Sequence, residues 1–409
     1  MTNAISRASG TNLATSLHLA VALDGAGWHP AAWREPDARP ADLFSAGYWV
    51  DLVREAEAGL LDFVTFEDSL GLQSEHLLHP DDRTDRVRGR LDAVLTAARV
   101  APVTHHIGLV PTIVVTHTEP FHLAKAIATL DYTSTGRAGL RVQVSLSRAD
   151  AALFGRREAP DVDPAGPQDT LRAVLEDAFA EVSDYVEVLR RLWDSWEDDA
   201  EIRDAATGRF INRDKLHYID FEGRWFSVKG PSITPRPPQG QPPVTALVHQ
   251  ETGHRLLAGS ADVGYATPHG TDEARTIVAG IRHAQQAAGT ADRPLHVFGD
   301  LVVFLGDTEG AARDRRDRFD EAAGAVYTSD AEVFTGTAVQ LADLLLDRRT
   351  AGLTGFRLRP AALPYDLSGI TRGLVPELQR RGVFRTAYEA DTLRGLLGLA
   401  RPANRYAPT

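Results

Sequence analysis

Cysteine is absent from the 409-residue sequence, lysine occurs only three times and methionine once. Without cysteine there is no disulfide framework and no thiolate nucleophile, which fits a cytoplasmic protein. The net charge of −12, with so few lysines, argues against a nucleic-acid partner, because such proteins cluster basic residues on one face. We therefore expect small molecules, rather than nucleic acid, as ligands.

Long apolar runs are also missing. The first sixteen residues lack the hydrophobic stretch of a signal peptide, and no later segment reaches the roughly eighteen apolar residues of a membrane span. We expect a soluble, cytoplasmic protein that contacts no membrane, with residues 1–16 forming a short disordered arm.

The sequence does contain short apolar runs that alternate with longer amphipathic stretches. Continuous runs rich in Val, Ile and Leu are typical of parallel strands buried on both faces. No G-x-G-x-x-G fingerprint follows the first run, which favours an α/β fold of the (β/α)8 TIM-barrel type over a doubly wound sheet. The predicted strands are Leu17–Leu23, Leu61–Phe66, Ile107–Val115, Arg141–Leu146, Val244–Val248, Asp262–Ala266, Leu295–Leu305 and Gly355–Pro360.

Two segments are longer than ordinary loops and are predicted to be insertions. One covers about residues 147–242, after the fourth strand, and the other about residues 324–336, after the seventh. Long ordered insertions on a barrel usually form walls or lids over the C-terminal ends of the strands. We predict a single barrel domain over residues 17–399 with a C-terminal helical extension, followed by a tail over residues 400–409.

The histidines do not form a metal-binding pattern. His76 with His79, and His117 with Glu119, have neither the H-E-x-x-H spacing nor another spacing that places two imidazoles on one ion. We predict no metal site. The G-x-S-x-G motif is also absent, so serine hydrolase chemistry is not supported.

Aromatic and acidic residues follow the first two predicted strands, where a barrel places its chemistry. Trp28, His29 and Trp33 form either the wall of a flat pocket or a hydrophobic plug of the barrel mouth. Glu67 and Asp68 follow a buried run, so we expect at least one of these carboxylates in the barrel mouth. Such a carboxylate either accepts hydrogen bonds from a ligand or caps the next helix.

Several longer stretches resemble one enzyme family. They are WHPAAWREPDA, TEPFHLAKAIATLDYTSTGRAG, DYVEVLRRLWDSWEDDA, SVKGPSITPRPPQGQPP and LVPELQRRGVFRTAYEADTLRGLLGL. Through them the chain resembles the bacterial luciferase-like flavin monooxygenases over residues 17–399. The resemblance is to the branch that contains nitrilotriacetate monooxygenase and related two-component enzymes.

This resemblance implies a TIM barrel that assembles as a homodimer or a dimer of dimers. It also implies reduced FMN that a separate flavin reductase supplies. In such enzymes the bound flavin reacts with O2 to give a C4a-(hydro)peroxide, which oxidises a small organic substrate while the protein excludes water. The apolar stripes in residues 90–101 and 121–130 fit either a dimer interface or packing against the barrel.

The resemblance implies roles for individual residues as well. The residues expected beside the flavin ring are Asp68 and Thr112. The residues expected near the ribityl phosphate are Arg141, Ser145, His249 and Gln250. The residues expected on the substrate side are Trp28, Trp33 and His117. His29 is the nearby group suited to proton transfer, and it fits a hydrogen-bonding wall residue equally well.

Some of these positions depart from the family pattern. The signature Gly-Trp-Asn-Val-Val-Thr-Ser of the fourth strand appears as GLRVQVS, so Arg141 replaces an asparagine. The phosphate-binding Ala-Gly-Ser-Ser appears as Leu247-Val248-His249-Gln250, and Phe179 replaces a tyrosine. A Gly-Ser-Ser turn offers backbone N–H groups and hydroxyls to a phosphate, whereas valine restricts such a turn.

Three functions follow from this mixture. The first is an active two-component monooxygenase with a remodelled flavin pocket. The second is a hydride-transferring oxidoreductase that uses a deazaflavin, F420, in place of FMN. The third is a non-catalytic member of the family. The aromatic loop with Trp28, His29 and Trp33 favours the first two, and the altered polar positions favour the third.

Overall fold

The structure, a computed structural model, describes residues 17–74, 76, 78–160, 166–247, 249 and 251–407. The predicted arm at residues 1–16 lies outside the described residues, as do Val248 and Gln250 of the altered phosphate loop. Numbered along the chain, the strands are β1 (His18–Leu23), β2 (Phe63–Phe66), β3 (Gly108–Val114), β4 (Leu140–Gln143), β5 (Glu201–Asp204), β6 (Arg209–Ile211), β7 (Phe221–Glu222), β8 (Ser227–Val228), β9 (Val244–Leu247), β10 (Val263–Ala266), β11 (His296–Leu305), β12 (Glu332–Gly336) and β13 (Gly355–Pro360).

The helices surround these strands. They are α1 (Ala46–Ala58), α2 (Ala93–Val100), α3 (Pro120–Thr133), α4 (Arg148–Phe154), α5 (Gln168–Asp194), α6 (Glu251–Ser260), α7 (Thr271–Ala287), α8 (Glu309–Ala323), α9 (Ala338–Arg349), α10 (Tyr365–Gly369), α11 (Val375–Arg380) and α12 (Leu393–Leu396). Within the part of the chain that the structure describes, none of the helices is both long enough and apolar enough to cross a membrane.

Eight of the strands close into a parallel barrel, in the order β1–β2–β3–β4–β9–β10–β11–β13, with β13 beside β1. Each of them coincides with one of the predicted apolar runs, and the predicted TIM barrel is confirmed. β4 ends at Gln143 rather than at Leu146. The reason is that the backbone N–H of Ser145 donates to the hydroxyl of Thr116 (2.9 Å) instead of to a neighbouring strand.

The first insertion follows β4, as predicted, and contains α4, α5 and the hairpins β5–β6 and β7–β8. The inner face of α5 buries Val182, Val186 and Leu189, which follow helical spacing. Trp193, near the end of α5, donates its indole N–H to the carbonyl of Ala124 on α3 (3.0 Å). These contacts fix the insertion against the barrel beside the C-terminal end of β4.

The second insertion follows α8 and contains the ninth parallel strand, β12, which the sequence did not predict. β12 pairs with the outer half of β11, from Leu301 to Leu305, and lies outside the closed barrel. Because β12 begins beside the C-terminal half of β11, Asp330, two residues before it, is carried to the mouth of the barrel.

The C-terminal extension closes the opposite end of the barrel. Leu393 of α12 and Leu397 after it are buried among the inward-facing residues Phe63 and Phe298 at the N-terminal ends of β2 and β11. His296, the first residue of β11, forms a hydrogen bond with the carbonyl of Leu397 (2.8 Å). The chain itself therefore plugs the lower end of the barrel, with apolar contacts from Leu393 and Leu397 and a polar one from His296.

The apolar stripes of α2 and α3 face the barrel. α2 buries Ala97 and Val100, and α3 buries Leu123 and Ile127. Packing against the barrel accounts for these residues, whereas Leu95 on α2 is 70% exposed, and the homodimer stays a prediction.

Candidate active site

Alternate residues of a barrel strand point into the barrel, and towards the C-terminal ends of these strands many of them are charged. Arg357 on β13 is fully buried and binds Asp300 on β11 through one edge of its guanidinium. Nε donates to Oδ1 at 3.0 Å and Nη2 to Oδ2 at 2.5 Å. Burial lowers the pKa of Arg357, but Asp300 and Glu67 outweigh it and raise that pKa above its ordinary value. The buried pair is therefore ionised.

Arg359, two residues further along β13, extends this network. Its Nη2 donates to Asp300 and its Nη1 to Asp330, both at 2.6 Å. Its guanidinium also lies over the ring of Trp28, 4.5 Å from the ring centre. Arg359 thus joins the barrel to the second insertion and to the loop after β1.

Glu67, directly after β2, connects the network to β4. One carboxylate oxygen accepts hydrogen bonds from Thr65 (3.0 Å) and Arg357 (3.1 Å), and the other accepts one from Arg141. Arg141 also donates to the hydroxyl of Thr112 (3.3 Å). Burial raises the pKa of Glu67, but Arg141 and Arg357 outweigh it and lower that pKa to about 2. Glu67 is thus a carboxylate in the barrel mouth, as expected. We call the network of ion pairs described above the charged floor, and its members are Glu67, Arg141, Asp300, Asp330, Arg357 and Arg359.

A cavity of about 720 Å³ lies above the charged floor. Its size is within the range of sites that hold cofactors and drug-sized molecules. The side formed by β3, β4, α5, β9 and α6 is apolar, and its lining includes Val114, Val142, Val144, Leu175, Phe179, Val182, Leu247 and Leu256. Five predicted site residues line the same cavity, namely Trp28, Asp68, Arg141, Ser145 and His249.

Asp68 lines the cavity and also binds two backbone N–H groups. One oxygen accepts from Ser69 at 2.7 Å, and the other accepts from Ala93, the first residue of α2, at 2.9 Å. Burial raises the pKa of Asp68, and the two hydrogen bonds oppose that rise. The carboxylate therefore acts as a helix cap and as part of the cavity wall at the same time.

Ser145 and His249 face the cavity from the ends of β4 and β9. The hydroxyl of Ser145 donates to Asp150 at 2.6 Å, so it already has an anionic partner. The His249 side chain is 49% exposed, and its Nε2 lies 3.7 Å from the carboxylate of Asp330. Of the two, the imidazole is the more accessible to a ligand.

A second cavity, of about 530 Å³, adjoins the first. Its aromatic lining consists of Trp28, His29, Trp33 and Tyr327. Asp24, Trp28 and Arg90 line both cavities. Arg90 binds Asp24 through Nε (3.2 Å) and Nη2 (2.8 Å). The Asp24–Arg90 ion pair and the Trp28 ring therefore form a partition between the two cavities.

His29 lies in the wall of the second cavity, where its side chain is fully buried. Nδ1 accepts a hydrogen bond from the backbone N–H of Ala31 (3.1 Å), so Nε2 carries the proton and donates to Asp320 (3.1 Å). Burial lowers the pKa of His29, and Asp320 raises it only in part. A neutral ring held at both nitrogens fits the hydrogen-bonding wall residue better than the proton carrier.

The position of Trp28 depends on the glycine before it. Gly27 has a φ of +129°, and a Cβ there would lie 2.4 Å from the carbonyl oxygen of Ala361. This close approach lets the backbone N–H of Trp28 bind Pro360 (3.0 Å), while the indole N–H donates to Ala22 (3.0 Å). The loop after β1 is thereby fixed against β13, with the Trp28 ring at the partition.

Two of the predicted site residues line neither cavity. Thr112 is completely buried under the charged floor, where it accepts the hydrogen bond from Arg141. His117 is buried as well and stacks on Phe154, with the ring centres 5.4 Å apart. Thr112 is thus in a position to act through Arg141, whereas His117 packs beside the first insertion.

The end of the first cavity near α6 is poor in hydrogen-bond donors among the residues that the structure describes. Leu247 and Leu256 line it, together with Phe179, which stands where the family pattern has a tyrosine. Glu251 is the first residue of α6, and its carboxylate opposes an anion at the positive end of the helix dipole. The remaining predicted donor, Gln250, lies outside the described residues.

Comparison with known proteins assigns the chain to a family. The sequence profile of the luciferase-like monooxygenases matches residues 26–353. The chain belongs to the luciferase-like monooxygenase family. The resemblance noted from the sequence is thereby confirmed, and because the related proteins are monooxygenases, the protein is an enzyme of the oxidoreductase class.

Two relatives of this luciferase-like enzyme match over nearly the whole chain. N-acetyl-S-(2-succino)cysteine monooxygenase of Bacillus subtilis (strain 168) is 30% identical and aligns with 97% of this chain and 100% of its own. Nitrilotriacetate monooxygenase component A of Aminobacter aminovorans is 29% identical, over 93% of this chain and 96% of its own. Among solved structures, riboflavin lyase with modified FMN and riboflavin shares the fold, with a TM-score of 0.81 and 23% identity over 95% and 97% of the two chains.

Most of the charged floor of this luciferase-like enzyme was missed from the sequence. Arg357 and Arg359 are two residues apart in a predicted buried strand, and Asp300 interrupts the longest apolar run. Alternate strand residues point inwards and buried charges need partners, so this spacing was a usable signal. Asp330 gives no such signal, because it lies in the second insertion.

The acidic groups of the luciferase-like site are paired with arginine rather than gathered around a common point. No group of three or more His, Cys, Asp or Glu side chains suited to a metal ion occurs in the described ranges. The absence of a metal site stays a prediction.

Proposed function

We propose that the protein is a flavin-dependent monooxygenase that takes reduced FMN from a separate flavin reductase and uses O2 to oxidise a small organic molecule. The observation that carries this proposal is the cavity of about 720 Å³ at the C-terminal ends of the barrel strands, in a chain of the luciferase-like family. An apolar side wall suits a flat isoalloxazine ring, and the volume admits a flavin mononucleotide.

The residues present fit the ring of the flavin better than its phosphate. We propose that Asp68 and Arg141 meet the polar edge of the ring, while Val114 and Val144 cover its surface. Thr112 holds Arg141 in place from below. Ser145, His249 and Gln250 remain the proposed neighbours of the ribityl phosphate.

A bound reduced flavin would supply the electrons that activate O2, and the protein supplies the surroundings. The valines of β3 and β4 exclude water from one side of the cavity. The partition made by Trp28 and the Asp24–Arg90 pair limits access from the other side. Excluding water in this way protects a reactive intermediate from hydrolysis and side reactions.

The second cavity is the proposed place for the organic substrate. Trp28, Trp33 and Tyr327 give it an aromatic lining, and it meets the first cavity at the Trp28 ring. A substrate there would need to cross only the partition to reach the flavin. His117 does not line this cavity, so the proposed substrate contacts are Trp28 and Trp33.

The two other functions stay as alternatives because of the altered phosphate loop. A deazaflavin such as F420 has a different tail and supports hydride transfer without O2 chemistry. A non-catalytic protein would bind no flavin in either redox state.

An anaerobic titration with reduced FMN, oxidised FMN, riboflavin and a deazaflavin tests the proposal directly. We expect micromolar or tighter binding of reduced FMN, with a transient absorbance change after air is admitted and a need for a separate reductase during turnover. Preference for the deazaflavin would favour hydride transfer. Failure to bind any flavin would favour the non-catalytic protein and contradict the proposal.

A pair of variants shows whether binding occurs in the first cavity. V144W fills the cavity, because Val144 lines it, and should abolish flavin binding. V339W introduces the same side chain on α9 at a site that is 50% exposed, and should leave binding unchanged. If both variants bind flavin like the wild type, the flavin does not occupy this cavity.

A further inference from the structure

Arg141 differs from the other arginines of the charged floor in how its guanidinium is used. Arg357 and Arg359 each engage all three side-chain nitrogens. The hydrogen bonds of Arg141 to described residues both come from Nη1, to Glu67 and Thr112, and its Nε is buried without a partner among them. Arg141 is only 5% exposed, so one edge of a buried guanidinium has no acceptor within the described protein.

Arg357 shows what kind of group such an edge binds. Its own Nε and Nη2 hold the two oxygens of Asp300, a planar group with two acceptors side by side. Arg141 has the same pair of nitrogens without acceptors among the described residues, and the residue lines the cavity above the floor. Burial lowers the pKa of Arg141, and Glu67 raises it only in part, so a further electron-rich acceptor would stabilise the guanidinium.

We propose that the Nε–Nη2 edge of Arg141 binds the pyrimidine edge of the flavin, at N1 and the C2 carbonyl, and favours the reduced, anionic form. This inference rests on the proposed function. In the reduced flavin the negative charge is shared between N1 and the C2 oxygen, and these two acceptors lie side by side in the ring plane. Charge close to N1 is one of the means by which proteins tune a flavin.

The surroundings of Arg141 favour this ligand over a phosphate. Five carboxylates, but only three guanidinium groups, are among the described residues that line the cavity. A phosphate dianion at Arg141 would lie beside Glu67, whereas the flavin anion spreads a single charge over a ring system. The proposal therefore replaces the earlier expectation that Arg141 approaches the ribityl phosphate.

Two substitutions remove the two-donor edge of Arg141, one with the positive charge kept and one without it. R141K keeps a positive partner for Glu67 but lacks the two-donor edge, and R141Q removes the charge as well. For wild type we expect reduced FMN to bind at least about tenfold more tightly than oxidised FMN, and both variants to lose about 10- to 100-fold of that preference. The midpoint potential of the bound flavin should fall by about 30–60 mV, at about 30 mV per tenfold change for two electrons. FMN and riboflavin should respond alike.

Arg190→Lys is the matched control. Arg190 is a partly buried arginine that, like Arg141, pairs with one carboxylate, here Asp262 (2.9 Å), but it does not line the cavity. It should leave the ratio of reduced to oxidised binding unchanged. In wild-type protein, reduced 1-deaza-FMN, which has a C–H in place of N1, should bind more weakly than reduced FMN, and this measurement does not depend on the folding of a variant.

Three results would overturn the inference. If the Arg141 variants weaken FMN but not riboflavin, Arg141 is a phosphate contact. If the ratio of reduced to oxidised binding and the potential stay at their wild-type values, Arg141 serves only the charged floor. If wild-type protein binds no flavin, the proposed function fails as well, which sets that outcome apart from the first two.

Discussion

His29 is the residue whose sequence-based role the geometry changes most. Both of its ring nitrogens are engaged, and the ring packs against Phe304, Phe319 and Tyr327 at centre distances of 4.9–5.8 Å. H29F keeps an aromatic ring but leaves the N–H of Ala31 and the carboxylate of Asp320 with one partner fewer. We expect the free energy of unfolding, measured in urea, to fall by about 1–3 kcal/mol.

The pH profile of turnover distinguishes this structural role from proton transfer. If His29 is a wall residue, H29F should lower the whole profile without removing a limb. A proton carrier would instead lose one limb of the profile, or lose turnover a hundredfold at unchanged stability. Either result would restore the catalytic role of His29.

For single residues, the sequence identified candidate site residues but not the residues with which they form ion pairs. Trp28 and Asp68 follow predicted strands, the family resemblance implied that both of them and Arg141 lie near a ligand, and all three line the first cavity. Arg141 pairs with Glu67, however, which is 74 positions away. Such a pairing depends on strand order and register, and neither is encoded in local spacing.

The N-terminus of α2 is a single element with two acidic caps. Asp68 accepts a hydrogen bond from the N–H of Ala93, and Asp92 accepts one from the N–H of Leu95 (2.8 Å). Only Asp68 lines the cavity. We expect D68A and D92A each to lower the free energy of unfolding by about 1 kcal/mol, as the loss of a helix cap usually does.

Flavin affinity should separate the two variants. D68A should weaken reduced FMN measurably, because its carboxylate is proposed to meet the ring, and D92A should bind like wild type. Calorimetric titration of both variants with FMN measures the difference. If they lose affinity equally, Asp68 contributes only through α2, and its assignment as a cofactor residue is wrong.

The strands could be predicted from the sequence where both of their faces are buried. The eight barrel strands read as continuous apolar runs because both of their faces are covered, one by the interior and one by helices. β12 escaped prediction because most of its five residues are only partly buried and it has no apolar run. Its partner, β11, is ten residues long, but the sequence alone did not reveal that the outer half pairs with a different strand.

Across the whole molecule the barrel interior divides into two halves. Leu393 and Leu397 close the lower half with apolar contacts, while the upper half carries the charged floor under the first cavity. The C-terminal extension was predicted from helical periodicity. Its position under the barrel could not be predicted, because an amphipathic helix of four residues fits many surfaces.

The attachment of this extension should make stability depend on pH through His296. Its Nε2 binds the carbonyl of Leu397 (2.8 Å), and its Nδ1 lies 3.1 Å from the hydroxyl of Thr354. The pKa of His296 is lowered from 6.5 to about 4, mainly by burial and also by His18 and Arg282, while the Leu397 carbonyl and Asp62 oppose the shift. Below pH 6.5 the His296 imidazole therefore binds a proton less readily in the folded protein than in the unfolded chain.

The sign of the effect follows from proton binding. Between pH 6.5 and 4 the unfolded state binds more protons at this position, so the free energy of unfolding falls as the pH falls, by up to about 3 kcal/mol. Above pH 6.5 the contribution is complete and constant. H296Q, whose amide can still donate to Leu397, should flatten the pH dependence of urea unfolding in this window. H283Q, on the exposed side of α7, should keep the wild-type slope. An unchanged slope in H296Q would mean that the extension is not held through a neutral His296.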